Sequence, residues 1–172
     1  MQRVGIGWVV VLLLSGPHVG AETGTVTIHA TQDGSPVTGM ATLTDTSAGL
    51  QVVVEVSNVT PGAHGLHIHQ FGSCGDGGNA AGGHYNPDGV KHGFLPKDGF
   101  SGAHAGDLGN IEIGANGSGT LELTLPPLRL SGAPYSVGGR AIVLHEKGDD
   151  FGQPTGNAGG RIGCGVIAIT GQ

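Results

Sequence analysis

Basic residues are scarce in this chain. Seven lysines and arginines stand against 13 aspartates and glutamates. None of the basic residues forms a run, which argues against nucleic acid and anionic membrane as partners. Long apolar stretches are missing too. The longest, VGIGWVVVLLL from Val4 to Leu14, is 11 residues, little more than half of what a membrane-spanning helix needs. Helical periodicity is not sustained anywhere, so a helical bundle is not expected. Cysteine occurs only twice, as Cys74 and Cys164.

The short apolar run has a function of its own. Arg3 precedes it, and Val19-Gly20-Ala21 follows with small residues suited to signal peptidase. Charge, apolar core and small-residue exit predict a cleaved secretory signal over residues 1–21 and one mature domain over 22–172. An uncleaved N-terminal anchor is the alternative. Removing Arg3 leaves six basic against 13 acidic residues, or −7 for the mature chain. In an exported protein an isolated pair of cysteines is expected to form one disulfide. After signal cleavage no membrane association is expected, and the location is periplasm or extracellular space.

Period-two apolar alternation fills most of the chain. Segments 25–30, 40–46, 50–56, 64–71, 110–113, 120–125, 140–146 and 165–169 all read as strands, separated by turn sequences such as QDGSP and ANGSG. The 36 glycines fit many turns and tightly folded loops better than helices. This pattern predicts an all-β fold, an eight-stranded antiparallel sandwich or flattened barrel. Two loops, about 72–106 and 147–160, exceed hairpin length, and loops of that length are usually functional or disordered. A third segment, 126–139, holds no ligand-type residue and reads as a plain crossover.

The long loops are rich in metal ligands. On a strand, residues i and i+2 face one side, so His67 and His69 of GLHIHQFGSC can converge on one ion. His84, His92, His104 and Asp107 lie along the first loop, and His145 on a distant strand. Three imidazoles with one carboxylate suit a closed zinc site. Nitrogen-only ligation by His67, His69, His145 and one further imidazole suits copper. Seven side chains must then fill eight positions, so one histidine serves both ions.

The blocks GLHIHQFGSC, GGHYNP, KHG, HAGDLGN, VLHEKGDD and TGNAGGRIGCGVI, in that order, resemble those of copper/zinc superoxide dismutase, in an exported, bacterial periplasmic-like form. The resemblance runs from about Thr25 to Ile169. It implies a Greek-key sandwich and an enzyme that disproportionates superoxide to oxygen and hydrogen peroxide, with one copper and one zinc ion per chain. Copper would be held by His67, His69, His84 and His145, and zinc by His84, His92, His104 and Asp107, with His84 as the bridge and a catalytic proton carrier. Asp149 resembles the aspartate that accepts hydrogen bonds from one copper and one zinc histidine. Arg161 resembles the catalytic guanidinium that receives the anion. Cys74 and Cys164 resemble the family's disulfide, and His64 a histidine that ties loop to strand without binding metal.

His29, Asp76 and Asp150 read as surface groups. Unlike many cytosolic members, the chain lacks a Lys/Glu-rich insertion after HEKGDD. Rival readings are a metal-buffering module without turnover and a scaffold sandwich with incidental histidines. A homodimer is one oligomeric state left open.

Overall fold

The computed structural model describes residues 21–171, so the expected signal segment, except for Ala21, lies outside the described residues. Nine strands follow in order: β1 (Thr23–Ala30), β2 (Thr38–Thr46), β3 (Gly49–Ser57), β4 (Gly62–His69), β5 (Asp107–Ile113), β6 (Gly119–Leu125), β7 (Ala141–His145), β8 (Arg161–Val166) and β9 (Ala168–Gly171). They form one antiparallel sheet in the order β5-β4-β7-β8-β1-β2-β3-β6, with β9 also paired to β1. The two ends of this path, β5 and β6, lie against each other, so the sheet curls into a nearly closed barrel. The Cα of Gly119 approaches so closely that a Cβ there would lie 2.4 Å from Glu112 O.

The last expected strand differs from the sequence reading. It starts earlier, at Arg161, and breaks at Ile167, whose N–H donates to Arg140 O while its carbonyl accepts from Gly139 N–H. Gly163 and Gly165 mask the strand in the sequence, since glycine has low strand propensity. The crossing of β1 demands one of them. A Cβ on Gly165 would stand 2.3 Å from Thr27 O.

Alternation fills the barrel. Val26 and Ile28, Ala41 and Leu43, and Leu50, Val52, Val54 and Val56 point inward from β1, β2 and β3. Each fully buried Val, Leu or Ile stabilises the fold by about 1.5–3 kcal/mol relative to exposure. β4 and β7 depart from simple alternation because both of their faces are covered. Leu66, Ile68, Ile142 and Leu144 enter the barrel, whereas Ala141 and Val143 face outward into a second, small core with Ala81 and Cys164. The Cys74–Cys164 disulfide closes that core and fastens the first loop to β8. It spans 90 positions, for which chain entropy predicts about 4–5 kcal/mol of stabilisation.

The loop over residues 72–106 contains local order that the sequence did not announce. A 3-10 turn spans Asn79–Ala81, and a single helical turn, α1 (Leu95–Asp98), starts with Pro96 in its first positions. Such turns are shorter than any window in which periodicity can register.

The segment 126–139 is more than a crossover. Leu128 and Leu130 complete the core, Tyr135 Oη–H donates to Asp88 Oδ2 at 2.7 Å, and Tyr85 Oη–H donates to Pro134 O at 3.2 Å. It buttresses the first loop.

Candidate metal centre

Strand register brings the chemistry together. On the outer side of the barrel His67 of β4 pairs with Asp107 of β5, His145 of β7 pairs with Arg161 of β8, and an isolated bridge sets His69 against His84. Asp107 is thus the first residue of β5 rather than a loop residue. The β4–β5 ladder shifts register between Gly65 and His67. Such a bulge re-aims the side chains beside it.

Two groups of ligand atoms result, each with its atoms within 4.8 Å of one another: His67, His69, His84 and His145, and His84, His92, His104 and Asp107. All seven residues are buried. His84 belongs to both groups. Its Nδ1 lies 2.8 Å from Asp107 Oδ1 and 3.4 Å from His104 Nδ1, which leaves Nε2 for the other group.

The unused atoms fit metal binding. His67 Nδ1 and His92 Nδ1 are buried without a hydrogen-bond partner. His92 Nδ1 lies 2.9 Å from Asp107 Oδ2, yet hydrogen-bond geometry is not met. Close approach without alignment is what two ligands of one ion show. The Nε2 atoms of His69 and His145 face each other at 3.3 Å.

The opposite ring nitrogens are held. His67 Nε2–H donates to Asp149 Oδ2 at 2.8 Å, His92 Nε2–H to Asp149 at 3.0 Å, and His69 Nδ1–H to Gly82 O at 2.9 Å. Such bonds fix tautomer and ring orientation. His67, His92 and Asp149 also form a compact acid–imidazole group, but their contacts are direct hydrogen bonds and leave no gap for an ion.

Electrostatics separate the two groups. Burial drives the pKa of His69 down to about 2, that of His145 to about 3 and that of His84 to about 4, the last against an opposing bond from Asp107. These imidazoles are neutral at pH 7, as metal ligation requires. Burial also opposes a charge on His92, but the adjacent carboxylates of Asp107 and Asp149 outweigh it and raise its pKa to about 9. Burial works against the charge of Asp107, yet hydrogen bonds from His104, His84 and the Gly93 N–H, with the His92 imidazole close by, hold it well below the carboxylate range. Its Oδ2 accepts from the N–H groups of Gly93 and His104, leaving Oδ1 facing His84 and His104.

Beside the first group lies a cavity of about 200 Å³, lined by His69, His84, His145, Thr155 and Arg161 among others. Arg161 is aimed by two backbone bonds from the disulfide-fastened loop, to Gly78 O at 2.5 Å and to Gly82 O at 2.6 Å. His64 stays apart from both groups. Its Nδ1 lies 2.8 Å from His145 O and its Nε2 2.9 Å from Thr60 O. His29, Asp76 and Asp150 are exposed.

Sequence reasoning missed two amides. Asn110 Nδ2–H donates to Asp149 O, and its Oδ1 accepts from Asp149 N–H. Gln153 brackets the backbone of His92 in the same way, with Oε1 accepting at 3.1 Å and Nε2–H donating at 2.8 Å. The one available signal was a strand-averse asparagine heading NIEI.

Residues 37–167 match the family described as copper/zinc superoxide dismutase. A relative from Brassica juncea, Superoxide dismutase [Cu-Zn] 2, is 41% identical over 152 residues, covering 84% of this chain and 90% of that protein. A solved structure described as that of the clock protein EA4 superposes with a TM-score of 0.75 at 32% identity, covering 91% of this chain and 100% of that one.

Proposed function

Because the chain belongs to the copper/zinc superoxide dismutase family, we propose that its two histidine groups are the resident metal sites of this enzyme, copper at His67, His69, His84 and His145 and zinc at His84, His92, His104 and Asp107. The enzyme disproportionates superoxide to oxygen and hydrogen peroxide. The observation that carries the assignment is the sharing of one imidazole by two buried ligand groups. Copper, when bound, supplies one-electron exchange with successive superoxide anions, while zinc supplies fixed positive charge.

The chain's own residues do the rest. Asp149 orients His67 and His92 together, so a single carboxylate sets the geometry of both groups. Arg161 presents a guanidinium at the cavity where His69, His84 and His145 are reached from solvent, and attracts the anion there. His84 Nε2 is the atom at which a proton for the peroxide product can be held beside that cavity, because Nδ1 is committed to the Asp107 side.

Export is the reading that the N-terminal signal pattern and the Cys74–Cys164 disulfide support. Mass spectrometry of protein recovered from the periplasm or medium should find a mature N-terminus near Glu22; full-length chain retained in the cytosol would refute it. A homodimer is supported by Val166 and Ile169, exposed and apolar, beside a backbone kept bare at Gly72 and Gly138. Sedimentation of the native protein and Val166→Asp should show dimer and monomer respectively; a native monomer would refute it.

The metal assignment is tested by His84→Ala. The variant should lose copper-type spectra and zinc retention together, as read by elemental analysis and paramagnetic resonance. Retention of both ions with native copper spectra would remove the bridge.

A further inference from the structure

A second cavity, of about 360 Å³, opens on the other side of His84 and is lined by Gln70, His84, Tyr85, Asn86, Pro87 and Arg140. Arg140 is its only side chain of fixed charge. The guanidinium carbon lies 3.6 Å from the centroid of the Tyr85 ring, which is close enough for a cation–π contact. Nε–H donates to Ser136 O at 2.9 Å and Nη1–H to Gln70 O at 2.7 Å. A guanidinium has five N–H donors, so three are left without a protein acceptor. No carboxylate among the described residues forms an ion pair with it. The amide of Asn86 is spent on Val90, in both directions, and Tyr85 Oη–H is spent on Pro134 O.

An arginine held on three sides, half-buried and unneutralised, is a preorganised anion receptor. Ring stacking and two backbone bonds have already fixed the side chain, so little conformational freedom remains to be lost on binding. A planar fork with free N–H groups matches oxyanions in two-point contact. We infer that this cavity is a second anion site, separate from the one at Arg161, and that it takes a small inorganic oxyanion of the phosphate, sulfate or bicarbonate class. The site needs neither metal for its own donors, so it stands or falls independently of the metal assignment.

The test uses the holoenzyme, reduced so that copper is diamagnetic, and follows the nitrogen-15 resonance of the Arg140 Nε–H group during a titration with inorganic phosphate. Saturable movement of that resonance is expected, and it should persist in Arg161→Ala. Arg140→Gln should abolish phosphate binding at this cavity. Gln70→Glu keeps the backbone bonds and side-chain shape but sets a carboxylate in the same cavity, and it should weaken the response about tenfold. Movement of the Arg161 resonance alone would overturn the proposal. So would an Arg140 response lost in Arg161→Ala or unchanged in Gln70→Glu.

Discussion

Protons and metals compete for the same atoms at the scale of single residues. His69, His145 and His84 have folded-state pKa values of about 2, 3 and 4, below the 6.5 of an unperturbed histidine. The unfolded chain therefore binds more protons between those limits, and metal-free protein should lose stability as pH falls below about 6.5. His92 has the opposite sign. With its pKa raised to about 9, its stabilising charge is fully present below 6.5 and is lost as pH rises through 9. Thermal unfolding of metal-free protein should therefore weaken on both flanks, and metal loading should erase the alkaline flank because the ion replaces the His92 proton. Persistence of that flank in loaded protein would contradict the assignment of His92 as a ligand. Arg161 invites a second test. A guanidinium about 6 Å from an anion contributes about 0.7 kcal/mol at water's dielectric and about 2.8 kcal/mol at an effective 20. Arg161→Ala should accordingly slow the second-order rate constant by between about threefold and a hundredfold, measured by pulse radiolysis. An unchanged rate would remove Arg161 from the reaction.

Strands and loops share the construction of the centre unequally. Strand register sets His67 against Asp107 and His145 against Arg161, but the loop over 147–160 supplies the carboxylate that joins the two ligand groups. Gly156 makes room for it. Its φ is +75°, and a Cβ there would stand 1.8 Å from Asp149 Oδ1 and 2.7 Å from His92 Nε2. Gly156→Ala should displace Asp149 and lower zinc affinity about 10–100-fold, the usual cost of losing a partner behind a metal ligand; competition with a chelator measures it. Native affinity in that variant would mean that Asp149 is not what orients His92. Much of this was legible in the sequence. The H-x-H pair, the spacing of histidines along one loop and the period-two strands announced a β-fold with paired ligand groups. The supports were not legible, because Asn110, Gln153 and Gly156 act through backbone atoms or through the lack of a side chain. The role of Tyr135 was hidden too, since its partner Asp88 lies 47 positions away.

Net charge and local charge oppose each other across the whole molecule. The chain's balance of −6 repels superoxide at long range, whereas the role proposed for Arg161 is attraction at close range. Within a Debye length, about 10 Å at 0.1 M salt, the nearest charge dominates. The native rate constant should therefore fall as ionic strength rises, and a rate that climbs would show that net repulsion governs encounter. The disulfide has a global effect as well. Cys74 and Cys164 should resist thiol reagents until reduced, and reduction should free the first loop and weaken metal retention; reactive thiols in active enzyme would contradict this. Gly78 and Gly82, whose carbonyls aim Arg161, lie in the same fastened stretch as Cys74. A copy stranded among reducing thiols would keep its barrel, since the aliphatic interior does not involve the cross-link, but its arginine would lose its aim. On this reading oxidation acts as a permit, and peroxide should be made fastest where the surroundings have already signed it.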